Sequence, residues 1–389
     1  MIFDIHVHID RKSNDYKNYS TIAYKNGIFK SVIFPFTLEN IERVDESNQY
    51  IIESFNFSKE LFIPFFLISN NHLDSINPNV IAGFKEHFVL GKNTSFFFPA
   101  YEFLQSHNLF LLIHPGSLKR FGLPEKLIEY KIGVLKNIKK NFPKLKIILA
   151  HSGRNLPFRS KGVIESVREL KSFEDIFFDT STIRSPETIK NMIEFVGNNR
   201  ILFGSDYPYP ITDKENIYKL EKETVFKANI PDSTKEDIFI NNFKRLFLKD
   251  FWVRRVCKTD LNNIISLLNY LDSIDKKHLA ISKKINKIKH DIKQERHIYL
   301  LENYLNKLLG FIRVSGLPKN GVLIQEIVVH PDFRKKGLAK FLIDIIVNKF
   351  QYIEAKTFND NEAINRILNA FSFEIIKKSS KGNILYWKK

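Results

Sequence analysis

The sequence predicts an α/β protein of two domains, a (β/α)8 TIM barrel over residues 1–248 and a smaller α+β domain over residues 249–389. At 389 residues, the chain is longer than one typical domain. Eight apolar runs, separated by stretches long enough for helices, fill the first 210 residues. Most are continuously hydrophobic, as expected of buried parallel strands. The runs are Ile2 to Ile9, Ser31 to Phe36, Leu61 to Ser69, Val80 to Phe88, Leu109 to His114, Lys146 to His151, Ile176 to Thr180 and Ile201 to Asp206.

After Phe247 the pattern changes from barrel units to a mixed set of strands and helices. Thr259 and Asp260 are typical of a helix start, because their side chains cap free backbone N–H groups. The strands expected in this part are Trp252 to Val256, Arg296 to Leu301, Lys307 to Ser315, Val322 to Val329 and Tyr352 to Thr357.

Cysteine content and hydropathy limit the class of protein. Cys257 is the only cysteine, which excludes an intrachain disulfide framework and a thiolate metal cluster. The first residues read as a strand rather than a leader peptide, and no run of about 18 apolar residues follows. We therefore expect a cytoplasmic protein without a membrane segment, and the sequence leaves a homo-oligomer open.

Positive charge is concentrated in the last third of the chain. The formal net charge is +17, of which residues 249–389 carry +13. The densest part runs from Lys276 to Arg296, where isoleucines at spacings of three and four predict an amphipathic helix. A solvated helix face explains this pattern, and so does binding of a polyanion such as a phosphorylated cofactor. We do not expect nucleic acid as a partner, but rather small-molecule substrates.

Histidines and an aspartate stand at the ends of the predicted barrel strands. His6 and His8 lie on one face of the first strand, about 6 to 7 Å apart along the backbone. Alone, this pair fits the polar face of an edge strand equally well. His114, His151 and Asp206 end later runs, however, at the edge where this fold places its chemistry. Nitrogen and oxygen ligands of this kind predict a divalent metal ion, with zinc expected.

Four segments of residues 1–248 resemble the motifs of the metal-dependent amidohydrolase superfamily, specifically its amidohydrolase-2 branch, which is similar to amino-carboxymuconate-semialdehyde decarboxylase. They are Phe3 to His8, Leu112 to Gly116, Ile148 to Gly153 and Leu202 to Pro208. The resemblance implies one metal ion held by His6, His8, His114 and Asp206, with His151 as a ligand or as a neighbour of the ligands. Some relatives bridge a second metal from the fourth strand, where Lys85 and Glu86 stand, but one metal is the expectation.

A divalent ion lowers the pKa of bound water, so that hydroxide can attack a carbonyl carbon while a carboxylate takes the proton. Asp206 suits that proton transfer. His151 is a candidate to polarise the carbonyl oxygen, and Arg154 to hold a substrate carboxylate. A surface-loop role for Arg154 remains an alternative.

A basic, glycine-containing loop joins a strand to a helix in the second domain. Backbone N–H groups at a helix start bind phosphate, and Gly337 allows close approach. The spacing Arg334-x-x-Gly337-x-Ala339 resembles the pyrophosphate motif of the GNAT N-acetyltransferases, as do Asn361 and Phe373 farther on. The resemblance implies that acetyl-CoA binds at Val328, Val329, Arg334, Lys335, Lys336, Gly337, Leu338, Ala339 and Asn361, with the strand at 352–357 splayed from its neighbour.

Two departures from that family's pattern bear on catalysis. Leu368 stands where many members have a tyrosine that protonates the departing thiolate, and Ser372 replaces a usual glycine. Glu326 is the candidate base for an attacking amine, with a structural role as the alternative.

The leading hypothesis is a bifunctional enzyme, a metal-dependent hydrolase of an amide or related carbonyl fused to an acetyl-CoA-dependent N-acetyltransferase. Two alternatives stay open. The barrel fits a decarboxylase, and the GNAT-like domain fits a non-catalytic acyl-CoA sensor or docking module.

Overall fold

The structure is a computed structural model that describes the chain except for residues 12–14, 37–42, 88–93, 115–126, 154–160, 210–215, 249–250, 270–280, 294–296, 304–306, 319 and 383. It divides into two compact units. The first comprises Met1–Phe55 and Phe62–Phe247, and the second comprises Asn56–Leu61 and Leu248–Lys389. Among the described residues, no helix combines the length and the apolar character that crossing a bilayer requires.

The first unit contains a parallel sheet in which each strand pairs with the next along the chain. Its described strands are β1 (Ile2–Ile9), β2 (Ile28–Pro35), β3 (Phe62–Leu67), β4 (Gly83–His87), β5 (Phe110–His114), β6 (Lys146–Leu149), β7 (Ile176–Asp179) and β8 (Ile201–Leu202). The segment after β8 closes the sheet onto β1, because Ile5 N donates to Phe203 O at 2.9 Å and His8 N to Tyr207 O at 2.8 Å. The predicted TIM barrel is confirmed.

Helices follow most of the strands and cover the outside of the sheet, as the spacing of the apolar runs predicts. The helices of this unit are α1 (Tyr16–Lys25), α2 (Val44–Phe57), α3 (Phe98–Ser106), α4 (Leu127–Asn141), α5 (Lys161–Glu169), α6 (Pro186–Val196), α7 (Ile217–Lys227), α8 (Asp232–Glu236) and α9 (Asn242–Phe247).

Several strands end earlier than their apolar runs, and two of these ends bear on the candidate site. β6 ends at Leu149 and β8 at Leu202, so His151 and Asp206 lie in the irregular backbone that follows. Both residues are in the left-handed region, with φ of 53° and 59°. Hydrophobic pattern alone extends a strand through such residues because it does not report the backbone turn.

A buried carboxylate ties the ends of the barrel chain together. Asp4 Oδ2 accepts hydrogen bonds from Ser205 Oγ at 2.6 Å and Tyr218 OH at 2.8 Å, and its Oδ1 accepts from the Ser205 and His6 backbone N–H groups. Burial raises the pKa of Asp4 to about 7 despite these four donors. These hydrogen bonds connect β1 to the segment after β8 and to α7. They also hold His6 in place.

The second unit is built on a mixed sheet of order β14-β15-β13-β12-β11-β10-β9. Its strands are β9 (Phe251–Arg255), β10 (Ile298–Asn303), β11 (Leu308–Leu317), β12 (Gly321–Val329), β13 (Ile353–Phe358), β14 (Glu374–Lys378) and β15 (Ile384–Lys388). Of these pairs only β12 and β13 are parallel, and they pair at Val322, Leu323 and Ile324 alone. Both strands continue beyond that point, so they diverge, as the sequence predicts.

Helices lie on both faces of this sheet. They are α10 (Leu261–Asn269), α11 (Ile281–Lys293), α12 (Leu338–Lys349) and α13 (Glu362–Ala370). The predicted basic amphipathic helix corresponds to α11, and its Ile288 and Ile292 are buried with Ile264 and Phe311. Lys287 and Lys289 are exposed on the same helix. Residues 276–280 and 294–296 of that prediction lie outside the described residues.

Buried ion pairs connect the strands of the second unit. Arg313 on β11 donates from Nη2 to Glu326 Oε1 on β12 at 2.7 Å, its Nε donates to Glu326 Oε2, and its Nη1 donates to Asp291 Oδ2 on α11. All three side chains are nearly inaccessible to solvent. A buried arginine satisfied by two carboxylates aligns the helix with the sheet.

We expect Arg313→Met to lower the free energy of unfolding by about 3 to 5 kcal/mol, because it leaves two buried carboxylates without their cation. Urea denaturation would measure the change. Lys287→Met, which removes an exposed cation from α11, is the matched control and should change stability by no more than about 0.5 kcal/mol. An equally small effect of both substitutions would contradict the structural role of the pair.

Candidate functional site

The first strand directs two imidazoles into the barrel. His6 and His8 alternate with Val7 on β1, and their ring centroids lie 5.3 Å apart. Both rings contact Phe34 on β2, at centroid distances of 5.2 and 4.7 Å. The strand period of two therefore places both imidazole rings on the inner face of the barrel, as the sequence predicts.

Asp206, from the segment after β8, lies against the His6 and His8 rings. Its Oδ1 lies 3.2 Å from both His6 Nε2 and His8 Nε2, and its Oδ2 lies 4.0 Å from His151 Nε2. Donor atoms of His6, His151 and Asp206 all lie within 4.8 Å of one another. The left-handed backbone at His151 and Asp206 is what turns their side chains inward.

Asp179 orients the cluster, and the sequence analysis did not single it out. Its Oδ2 lies 2.7 Å from His6 Nδ1, and its Oδ1 accepts from the His151 backbone N–H at 2.9 Å. His151 Nδ1 lies 2.8 Å from Ser181 Oγ. Since the Nδ1 atom of His6 faces a carboxylate, the proton of that ring belongs on Nδ1 and the Nε2 lone pair faces the centre of the cluster. Asp179 is the last residue of β7 and the penultimate residue of the seventh apolar run, so its position resembles the strand-end signal that identified Asp206.

Electrostatics favours neutral imidazoles in this cluster. Burial lowers the pKa of His151 to about 3 and the pKa of His6 and His8 well below the usual range. His6 Nε2 is buried and has no hydrogen-bond partner among the described residues. A lone pair that faces a carboxylate oxygen at 3.2 Å is repulsive unless a proton or a metal ion lies between them. The residues therefore fit a divalent ion with nitrogen and oxygen ligands.

His114 lies beside this group rather than within it. Its ring centroid is 4.7 Å from that of His151 and 4.2 Å from that of His87, with which it stacks. The metal-ligand roles of His8 and His114, like those of His6, His151 and Asp206, stay predictions. Arg154, the predicted substrate-binding residue, lies outside the described residues.

The two candidates for a bridging ligand on β4 point to opposite sides of the sheet. Lys85 is fully buried inside the barrel, where its Nζ lies 4.5 Å from the Phe34 ring centroid. Glu86 accepts a hydrogen bond from Tyr101 OH of α3 at 2.7 Å, so it faces the helix layer. Of these two side chains, only Lys85 faces the cluster.

The basic loop of the second unit connects β12 to α12. Val328 and Val329 end the strand, Leu338 begins the helix, and Gly337 between them has φ of 77°. That left-handed conformation requires a residue such as glycine at the helix start. Arg334, Lys335 and Lys336 are exposed around the loop, and Ala339 lies in the first helical turn. The loop thus joins cationic side chains to free N–H groups, which suits a phosphate.

The other predicted residues of this unit have structural contacts. Both carboxylate oxygens of Glu326 accept from Arg313, so proton removal by Glu326 would compete with this ion pair. The Asn361 side chain caps α13 by accepting from Ile364 N at 3.4 Å. Leu368 is buried in the core, and its side chain supplies no acid. The catalytic role of Glu326 and the acetyl-CoA contact of Asn361 stay predictions.

Two family models match the chain. Residues 83–248 match a family described as amidohydrolase, and residues 294–374 match the acetyltransferase (GNAT) domain. Both recognitions made from sequence motifs are confirmed.

Individual relatives are similar to parts of the chain. A 6-methylsalicylic acid decarboxylase of Penicillium expansum is 29% identical, over 33% of this chain and 49% of that protein. An uncharacterized N-acetyltransferase ycf52 of Porphyra purpurea is 25% identical, over 34% of this chain and 79% of that protein. The chain thus spans about half the length of the decarboxylase.

Among solved structures, a 5-carboxyvanillate decarboxylase of Novosphingobium aromaticivorans has a similar fold. Its TM-score is 0.50 at 12% identity, and the match covers 64% of this chain and 96% of that one. That protein was crystallised with manganese and 4-hydroxy-3-methoxy-5-nitrobenzoic acid. At this identity the likeness supports the barrel fold.

Metal analysis of the purified protein is expected to find close to one divalent ion per chain. His6→Ala should abolish binding because it removes a donor from the cluster, whereas Asp179→Asn should weaken it about 10- to 100-fold by releasing the His6 ring. Competition with a chelator measures both effects. His290→Ala, at an exposed histidine of the other unit, is the control. Full metal content in His6→Ala would exclude this centre.

Proposed function

Because the chain joins an amidohydrolase-superfamily barrel to a GNAT domain, we propose that the barrel is a metal-dependent decarboxylase of a small carboxylic acid. We further propose that the GNAT domain transfers an acyl group from acyl-CoA to an amine. The observation that carries the first proposal is the inward-facing cluster of His6, His151 and Asp206 in a barrel whose curated relative is a decarboxylase.

The cluster would hold the metal through His6, His151 and Asp206, with His8 and His114 as further candidate ligands. When bound, a divalent ion would bind the substrate and stabilise negative charge on it. Zinc is the metal predicted from the ligand types, and manganese, which the solved 5-carboxyvanillate decarboxylase contains, is the other metal to test.

The protein's own residues supply orientation and a proton. Loss of carbon dioxide breaks a carbon–carbon bond and leaves the electron pair on the carbon, which must then receive a proton. Asp206 is the candidate proton carrier, because its carboxylate lies against His6 and His8 in the centre of the cluster. It would first take up a proton from solvent and then give that proton to the carbon. His151 is held by Ser181 and by the contact of its backbone with Asp179, so its Nε2 keeps a fixed direction toward Asp206.

Amide hydrolysis is the second candidate for the barrel. The family that matches residues 83–248 is described as amidohydrolase, and a carboxylate such as Asp206 suits removal of a proton from water. The two reactions use the same residues but different substrates, since hydrolysis needs an amide or related carbonyl and releases no carbon dioxide.

The GNAT domain has a loop and a pair of diverging strands that suit acyl-CoA binding, but it has fewer side chains that suit proton transfer. The loop from Arg334 to Ala339 would hold the pyrophosphate, and the divergence of β12 and β13 would admit the linear arm of the cofactor. Leu368 is apolar and Glu326 is engaged by Arg313. Solvent would therefore take and return the protons in this proposal, and a slow or non-catalytic acyl-CoA sensor is the alternative.

Incubation of the manganese-loaded or zinc-loaded protein with 6-methylsalicylate and related hydroxybenzoates is expected to release carbon dioxide in equal amount to the acid consumed. Asp206→Asn should lower kcat at least about 100-fold because it removes the proton carrier. His290→Ala should retain full activity. Turnover of amides without carbon dioxide release would favour hydrolysis and contradict decarboxylation.

Calorimetric titration with acetyl-CoA is expected to show binding that Arg334→Gln weakens about tenfold, as expected for loss of one charged phosphate contact. Lys287→Gln is the control, because it removes an exposed lysine away from the loop. Acetyl transfer to a panel of amines then separates an enzyme from a sensor. Equal affinity of the Arg334 variant and the wild type would contradict the proposed loop.

A further inference from the structure

Lys85 is a basic side chain inside the barrel to which the proposed reaction gives no role. It lies on β4 between Phe84 and Glu86, and it is fully buried. Its Nζ lies 4.5 Å from the centroid of the Phe34 ring, and the same ring contacts His6 and His8. The amine is therefore part of the wall around the candidate metal centre.

The amine of Lys85 is not satisfied by the described part of the chain. Its Nζ is buried and has no hydrogen-bond partner among the described residues. The aromatic face of Phe34 attracts a cation, but it offsets only part of the cost of burying three donors. Apolar side chains would fill this position without that cost, so packing alone does not account for a lysine here.

The charge of Lys85 acts on the whole cluster. Burial lowers the pKa of Lys85 to about 7, against the attraction of the Asp179 and Asp206 carboxylates. Burial is also the main reason that the pKa values of His6, His8, His114 and His151 are lowered, and the charge of Lys85 lowers them further. Neither carboxylate accepts a hydrogen bond from Lys85. Asp179 and Asp206 together formally offset one divalent ion, so an ammonium group beside the loaded centre leaves an excess of positive charge.

We propose that Lys85 makes the barrel site selective for an anionic ligand, whose carboxylate or phenolate oxygen supplies the negative charge that the cluster lacks. This inference rests on the proposed function, because a carboxylic acid is the substrate there, and it adds the residue that discriminates such an acid from a neutral isostere. In a site of low dielectric constant, an unbalanced charge favours an anion over a neutral ligand of the same shape.

Lys85→Met tests the proposal, because methionine keeps an unbranched side chain of similar length and removes the amine. Calorimetry on the full manganese-loaded protein would use benzoate, phenol and the neutral amide benzamide at one ionic strength. We expect benzoate to bind the variant about 10- to 100-fold more weakly, and benzamide to bind both proteins equally. A loss confined to phenol at high pH would assign the phenolate oxygen instead of the carboxylate.

Stability and metal content provide independent measurements. Without ligand, Lys85→Met should be at least as stable to urea as the wild type, since an unsatisfied buried amine is removed. It should also keep its metal ion. Lys190→Met, at a half-exposed lysine of α6, is the control for a change of charge.

Equal benzoate affinity of the variant and the wild type would overturn the proposal, as would a destabilised variant or one that has lost its metal. Binding is measured without turnover, so the two proposals fail separately. If no acid releases carbon dioxide but the variant still loses its preference for benzoate, the result supports selectivity by Lys85 and contradicts decarboxylation.

Discussion

The candidate metal centre depends on the contacts that the buried carboxylate of Asp179 makes with His6 and His151. One of its oxygens fixes the tautomer of His6, and the other holds the backbone N–H of His151. His151 has a left-handed φ, which costs energy in a non-glycine residue, so this backbone contact helps to maintain the conformation. A single buried carboxylate thus couples β1, the turn after β6 and the end of β7. The centre is assembled by strands that are distant in sequence, and Asp179 sets their mutual geometry.

Much of the barrel and part of the site were predictable from sequence. Continuous apolar runs mark buried parallel strands, and His6, His8, His151 and Asp206 stand where such strands end. Asp179 was missed, although it lies at the end of β7, because it belongs to none of the four motif segments and was included in the seventh apolar run. The exact strand ends were not predictable either. Left-handed turns at His151 and Asp206 depend on hydrogen bonds from other strands, which hydrophobic pattern does not report.

The second unit shows the same division between local pattern and tertiary contact. The loop around Gly337 and the splay of β12 from β13 follow a short motif, so sequence predicted them. The ion pair of Glu326 was not predicted, because Arg313 reaches it from a neighbouring strand and is itself held by Asp291 of a helix. A carboxylate that a sequence suggests as a catalytic base can instead be held in a buried ion pair in the folded protein. The proposed acyl-CoA chemistry therefore rests on the loop more than on a catalytic acid or base.

The divergence of β12 and β13 has a further chemical consequence. The two strands pair only as far as Ile324 and Ala355, yet β12 continues to Val329. Beyond that register, no described strand pairs with β12 on the side that faces the gap. A linear ligand that carries amide groups can pair with β12 there as a short surrogate strand. Such recognition depends on the regular spacing of backbone N–H and C=O groups rather than on any side chain. It therefore tolerates substitutions in β12.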